Sequence, residues 1–216
     1  MEYIWCALIG YSVGTINPSY LLGRIKGMDI REKGSGNAGG SNALIVFGKI
    51  AGVLCSLFDI AKAFAAVRLA EFLFPNFSQA FSVTGCAVIL GHIFPFYMKF
   101  RGGKGLACLG GVVLSYDWLL FLIMLAAAVV LTLVTDYICF VAPTAAVSFV
   151  VIYAWQTRNF IGSAILAIAA ALICGKHVRN FKRIREGTEA RFSYIRHPEK
   201  EIARISKKPE ESEPAQ

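Results

Sequence analysis

Charge is scarce in this sequence. Only 17% of its 216 residues are Asp, Glu, Lys or Arg, against about 25% in a soluble domain, and 56% are hydrophobic, with a mean hydropathy of +0.57. That balance excludes an ordinary water-soluble enzyme, a disordered chain and a fibrous repeat. Paired cysteine motifs are absent too. Cys6, Cys55, Cys86, Cys108, Cys139 and Cys174 each stand alone in an apolar run, with no C-x-x-C and no nearby His pair. Neither a disulfide framework nor a zinc site is indicated, and the cysteines read as small lipid-facing or packing residues. The amino end has Glu2 where a signal peptide carries basic residues, and no small-residue cleavage site follows. It is expected to stay as a membrane anchor with its N-terminus outside. There is no linker between domains and no repeat of fixed period.

What is present is a series of apolar runs divided by basic stretches. A hydrocarbon core of about 30 Å needs ~20 helical residues, and candidate helices cover 3–23, 48–74, 78–97, 106–116, 118–134, 138–156 and 160–175. The break between the fourth and fifth falls at Ser115, Tyr116 and Asp117. Acidic residues number 14 and basic residues 22, a net charge of +8. Four of the basic residues lie at 24–33, three at 99–104 and eleven at 176–208. All three clusters reach the cytoplasm, as the positive-inside rule asks, only if the chain crosses an odd number of times. The expectation is an all-α, polytopic integral membrane protein of about seven transmembrane helices, with the N-terminus outside and the C-terminus cytoplasmic. Residues 1–190 form a single transmembrane domain, and 191–216 form a tail, basic and then disordered from about 207.

Three polar stretches interrupt the apolar runs. At 34–42, Gly34, Gly36, Gly39 and Gly40 alternate with Ser35, Asn37, Ser41 and Asn42. Converging backbone amides before a helix N-terminus make an anion cradle; the plainer reading is a flexible loop with Ser41 or Asn42 as an N-cap. At 91–105 a span ends near Pro95, and the turn Gly102, Gly103, Lys104, Gly105 follows. Flexible amides and one point charge suit a phosphate, but the G-x-x-x-x-G-K-[ST] spacing of a nucleotide loop is missing. Obedience to the positive-inside rule explains Arg101 and Lys104 equally well. His92 reads as a hydrogen-bonding group that ties the broken helix end, with proton transfer as the other reading. At 175–189, His177, Asn180, Arg183 and Ile184 share one helix face. That face can grip a phosphorylated ligand, or lie as a basic helix on anionic lipid. Within the apolar runs, Asp59 and Lys62 are expected to pair and to line the same site, because lone intramembrane charges are costly. Arg68 and Glu71 repeat the spacing near the outer end, and Asp117 and Asp136 fall at ordinary turns.

Together the stretches resemble the bacterial acyl-phosphate:glycerol-3-phosphate acyltransferases, the PlsY family. Its motif S-G-N-x-G-A-x-N-x-x-R is matched by Ser35, Gly36, Asn37, Gly39 and Asn42. G-H-x-F-P-x-F-x-x-F-K-G-G-K-G is matched by Gly91, His92, Phe94, Pro95, Phe100, Gly102, Gly103, Lys104 and Gly105, with Arg101 for Lys. K-H-x-x-N-I-x-R-x-x-x-G-x-E is matched by Lys176, His177, Asn180, Arg183, Gly187 and Glu189, with Phe181 for Ile. Asp59 and Lys62 supply a D-x-x-K element.

The resemblance implies transfer of an acyl group from acyl phosphate to the sn-1 hydroxyl of glycerol 3-phosphate, giving 1-acyl-glycerol 3-phosphate for phospholipid synthesis. It implies Ser35, Lys104 and His177 as catalytic groups. Lys104 and the 102–105 amides would hold one phosphate, while Ser35, Asn37 and Asn42 with the 34–36 amides would shape the other pocket. His177, Asn180 and Arg183 would orient the acceptor, His92 and Arg101 would also bind substrate, and Asp59, Lys62 and Glu189 would support them. His177 or a substrate phosphate would take the proton. No metal, cofactor or nucleic acid is implied, only the two substrates and membrane lipid, and the chain is expected to act as a monomer at the cytoplasmic face of the cell membrane. One departure stands out: the Arg closing the first motif is Ile45 here, and Ile cannot make its bidentate hydrogen bonds. Lys49, one helical turn on, is expected on the same face. On that account the alternative is a lipid-phosphate binder or a transporter of a phosphorylated solute.

Overall fold

The computed structural model describes residues 1–195, and the segment expected to be disordered lies outside them. Those residues form nine α-helices, joined by loops and short 3₁₀ turns, with no strand. They are α1 (Glu2–Thr15), α2 (Pro18–Ile25), α3 (Gly40–Phe47), α4 (Lys49–Leu73), α5 (Ala80–Ile93), α6 (Leu106–Tyr116), α7 (Trp118–Thr135), α8 (Val141–Thr157) and α9 (Phe160–Arg185).

The sequence signals explain most of these boundaries. Asp117 caps α7, accepting from the Leu120 amide at 2.8 Å, so the apolar region around 105–135 breaks where expected. The run at 3–23 is not one helix. Asn17 accepts from the Tyr20 amide at 2.8 Å and Pro18 opens α2, so the run divides into helices of 14 and 8 residues. The short α3 was not anticipated. Gly48, at φ +93°, ends it and starts α4. Lys49 therefore opens a new helix and does not continue the face that carries Ile45. At the other end of the chain α9 runs on to Arg185, with Lys182, Arg183 and Arg185 in its last turn, where cations suit the helix dipole.

Among the described residues, five segments are long and apolar enough to cross a membrane: Lys49–Leu73, Ala80–Met98, Trp118–Thr135, Ile138–Thr157 and Phe160–Arg185. Leu106–Tyr116 is apolar but shorter. Helix α5 lies at the centre, with its span 78% buried, against Val112 of α6, Phe149 of α8 and Ile173 of α9. Helix α7 is the opposite, at 6% buried. Tyr3 on Phe77 (4.6 Å between ring centroids), Gln79 with Asn159 (3.1 Å) and Tyr116 with Gln156 (2.8 Å) gather at one end of the bundle. The polar stretches gather at the other.

Helix α1 reaches α5 through a glycine seam. A Cβ at Gly10 would stand 2.5 Å from the Thr84 carbonyl oxygen, one at Gly14 would enter the Val88 carbonyl, and one at Gly91 would enter that of Tyr11. Small residues four apart allow this approach in lipid. Gly14→Leu is expected to destabilise the bundle by about 1–3 kcal/mol through overpacking, read as a lower melting temperature in detergent; an unchanged midpoint would mean that α1 is not seated this closely.

Candidate active site

Each polar loop is shaped first by its own hydrogen bonds. In the first, the buried Asn42 of α3 points back into the loop. Its side-chain oxygen accepts from the Ser35 amide at 2.7 Å, and its nitrogen lies 2.8–3.0 Å from the carbonyls of Ile30, Lys33 and Asn37. The Gly36 amide donates to the Lys33 carbonyl at 3.1 Å. Asn42 is therefore a scaffold inside the loop and not an N-cap, a place taken by Gly39. In the second loop, Gly102 donates to the Ile93 carbonyl (3.0 Å) and Gly103 to that of His92 (3.1 Å), closing the end of α5. So the amides of Ser35, Gly36, Gly102 and Gly103, expected to face an anion, are engaged within the chain. A Cβ at Gly103 would enter the His92 ring, which explains glycine there. Arg31, not singled out from sequence, ties the two loops together: it pairs with Asp29 at 2.6 Å and donates to the carbonyls of Met98 (2.7 Å) and Arg101 (3.3 Å).

The third stretch brings the loops into one site. Lys104 Nζ donates to Asn180 Oδ1 at 2.7 Å, Asn180 Nδ2 donates to Glu189 Oε1 at 2.5 Å, and Arg183 Nε donates to Glu189 Oε2 at 2.8 Å. Arg183 Nη1 lies 3.5 Å from the Ser35 carbonyl. His177 Nδ1–H donates to the Ile173 carbonyl at 2.7 Å, which leaves the Nε2 lone pair available. Burial pushes the Lys104 ammonium down to about 8; the Glu189 carboxylate opposes that shift, and Arg183 adds to it.

Deeper in, Asp59 and Lys62 pair at 2.6 Å, both buried, and His92 Nδ1 stands 3.3 Å from Asp59 Oδ1 and 3.2 Å from Lys62 Nζ. Lys62 also donates to the carbonyls of Gly14 (3.1 Å) and Ile16, the freed carbonyls at the end of α1. Asp59, His92 and Cys108 offer donor atoms within 4.8 Å of one another. The Lys62 ammonium beside two of them supplies the positive charge there and repels a divalent cation, so the cluster does not fit a metal.

These groups border a cavity of about 480 Å³. Ser35, Asn37, Asp59, His92, Lys104, Gly105, His177, Asn180 and Glu189 line it. Gly34, Gly36, Asn42, Lys62, Arg101, Gly102, Gly103 and Arg183 do not; they lie around it or behind it. Sequence reasoning missed the segment after α9, of which Ala190, Arg191 and Phe192 line the cavity. From the polar groups the cavity continues between α4, α6, α7 and α8, against Ile60, Leu109, Val113, Phe121, Met124 and Ala145. One end of the cavity is thus polar and the rest apolar.

A profile of the glycerol-3-phosphate acyltransferase family matches residues 4–187. The chain belongs to that family. A glycerol-3-phosphate acyltransferase of Thermoanaerobacter pseudethanolicus is 39% identical over 196 residues, covering 89% of this chain and 96% of that one. One from Coxiella burnetii is 37% identical over 193 residues, covering 88% and 97%. Among solved structures, PlsY (YgiH), an integral membrane glycerol 3-phosphate acyltransferase, superposes in its glycerol 3-phosphate form with a TM-score of 0.83 at 28% identity, covering 91% of this chain and 98% of that one. Its lysophosphatidic acid form gives 0.79 at 27% identity, covering 90% and 98%.

As a glycerol-3-phosphate acyltransferase, the chain is an integral membrane protein, and its described residues form helices and no strand. Its Ile45 lies on the cavity wall beside Leu44 and Ser41, an apolar side chain close to the polar groups.

Proposed function

We propose that the chain transfers an acyl group from an acyl phosphate to the sn-1 hydroxyl of glycerol 3-phosphate. The observation that carries this reading is the Lys104–Asn180–Glu189–Arg183 chain of hydrogen bonds. It joins the second and third polar stretches, and Arg183 approaches the first, at the polar opening of an otherwise apolar cavity. An amphiphilic donor fits such a space, with its phosphate at the opening and its tail between helices.

In the proposed reaction the hydroxyl oxygen attacks the acyl carbonyl carbon. The bond between that carbon and the bridging phosphate oxygen breaks, an ester forms and inorganic phosphate leaves. The hydroxyl proton passes to His177 Nε2 or to a phosphate oxygen. A mixed anhydride is already activated, so the protein's share is placement and charge neutralisation. Lys104 neutralises a phosphate; Ser35 and Asn37 hold polar substrate atoms opposite it; Asn180 positions Lys104. The glycines and Asn42 act through loop shape. Arg183 acts through Glu189, and Asp59, Lys62 and His92 through the docking of α1, α4 and α5.

The same reading places the polar end in the cytoplasm, where the basic stretches point. It counts seven crossings (α1, α4, α5, α6, α7, α8 and α9), with the short α1 and α6 completing the parity that returns Ser35, Lys104 and His177 to one face. Residues 1–190 then form one domain, and one copy holds the whole site.

Phosphate release from acyl phosphate by the purified protein in bilayers tests the reaction. Release is expected to depend on added glycerol 3-phosphate, with 1-acyl-glycerol 3-phosphate forming in equal amount. Release that ignores the acceptor and yields no acylated product would remove the proposal, and net solute flux into sealed vesicles would favour a transporter.

A further inference from the structure

The chain does not leave the site at the end of α9. It turns at Gly187, at φ +69°, and comes back so that Glu189 meets Asn180 and Arg183. Three and four residues later it is fastened again. Asp136, the left-handed C-cap of α7 at φ +61°, accepts three hydrogen bonds: its carbonyl from the Phe192 amide (2.7 Å), and its carboxylate from the Ser193 amide (2.7 Å) and Ser193 Oγ (2.8 Å). The strap between these fastenings carries Arg191 and Phe192, which both line the cavity; Phe192 also borders an apolar hollow with Leu106, Ile138 and Val141.

Charge counting at the opening gives this strap a task. The proposed transfer gathers two phosphate groups, one on each substrate. Among the described residues, the Lys and Arg side chains that line the cavity are Lys104 and Arg191, while Glu189 adds a carboxylate and Asp59 a second one, already paired with Lys62. Lys104 offers one compact charge. A guanidinium offers the planar pair of donors that matches two phosphate oxygens. We propose that Arg191 is a substrate-binding residue whose guanidinium holds the phosphate of one of the two substrates, and that Asp136 is a positioning residue that keeps the strap across the opening. The inference rests on the acyl-phosphate reading for its count of phosphates. It assigns a role to a segment after the last motif and to an aspartate that the sequence presents as an ordinary turn.

The test is Arg191→Ala, assayed against each substrate in turn. The KM for one phosphorylated substrate is expected to rise at least tenfold while kcat changes less than threefold; whichever KM moves identifies the phosphate held. Arg191→Lys is expected to recover part of that loss. Asp136→Ala and Ser193→Ala are expected to raise the same KM, by less, and to leave the other substrate's KM unchanged. Both KM values within twofold of wild type in Arg191→Ala, with an unaltered melting temperature in detergent, would overturn the binding role; an unmoved KM in Asp136→Ala would overturn the positioning role. A wild-type protein that performs no transfer would sink the reaction and not this inference. The arbiter is then inorganic phosphate, which is expected to raise the melting temperature of wild type more than that of Arg191→Ala. Equal protection of the two would end it.

Discussion

Replacing Lys104 with alanine is expected to lower kcat/KM for acyl transfer by about 10²–10³-fold, the usual effect of removing one preorganised donor at a developing charge. Lys104 is one of two Lys or Arg side chains on the cavity wall among the described residues, and its ammonium is bonded to Asn180 at 2.7 Å. The substitution shortens a partly buried side chain in the loop just before α6 and leaves the spans alone, so the protein is expected to insert and melt as wild type does. Retained activity would remove Lys104 from the mechanism. A pH profile gives an independent check. Burial holds the ammonium near a pKa of about 8; the group is charged below that value and neutral above it. With the cation required, kcat/KM for wild type is expected to fall as pH rises through about 8. Lys104→Arg keeps its charge there, and its residual activity is expected to lose that alkaline limb.

The second large effect belongs to stability. Asp59→Ala is expected to destabilise the protein by about 3–5 kcal/mol, because it leaves the Lys62 ammonium buried without its carboxylate. Asp59 is 1% exposed and Lys62 is 6% exposed, and Lys62 also holds the carbonyls at the end of α1. The loss should therefore appear as a lower melting temperature in detergent together with earlier proteolysis near residues 16–18. Asp59→Asn, which keeps a hydrogen-bonding group of the same shape, is expected to fall between the two. A melting temperature equal to that of wild type would mean that the charges are hydrated and not packed as described.

What could be read in advance followed from local chemistry. The apolar runs announced the long helices because a span is defined by composition, and Asp117 announced the break before α7 because an N-cap needs only its next three residues. Asn17 and Pro18 carried an equally plain stop signal, yet the apolar residues on both sides made 3–23 look continuous. Glycine was misread for a physical reason. A Gly-rich loop has the same sequence whether its amides face a ligand or, like those of Gly102 and Gly103, close the end of a neighbouring helix. Helix α3 was hidden because Asn42, a typical cap or turn residue, sits inside it and serves the loop before it. Contacts across long separations left no local trace: His92 meets Asp59 across 33 positions and Ser193 meets Asp136 across 57. Only patterns longer than any helix, the spacing of the basic clusters and the order of three motifs, pointed in advance to one face for Ser35, Lys104 and His177.

The nearly bare helix α7 bears on supply as well as shape. Its residues Phe121, Met124, Leu125 and Ala128 form one side of the cavity, while almost all of the helix faces outward. With so little protein behind this wall, the proposed donor is expected to enter sideways from the bilayer by two-dimensional diffusion. Turnover should then follow its mole fraction in the leaflet, falling on surface dilution with inert lipid even when its bulk molarity is constant.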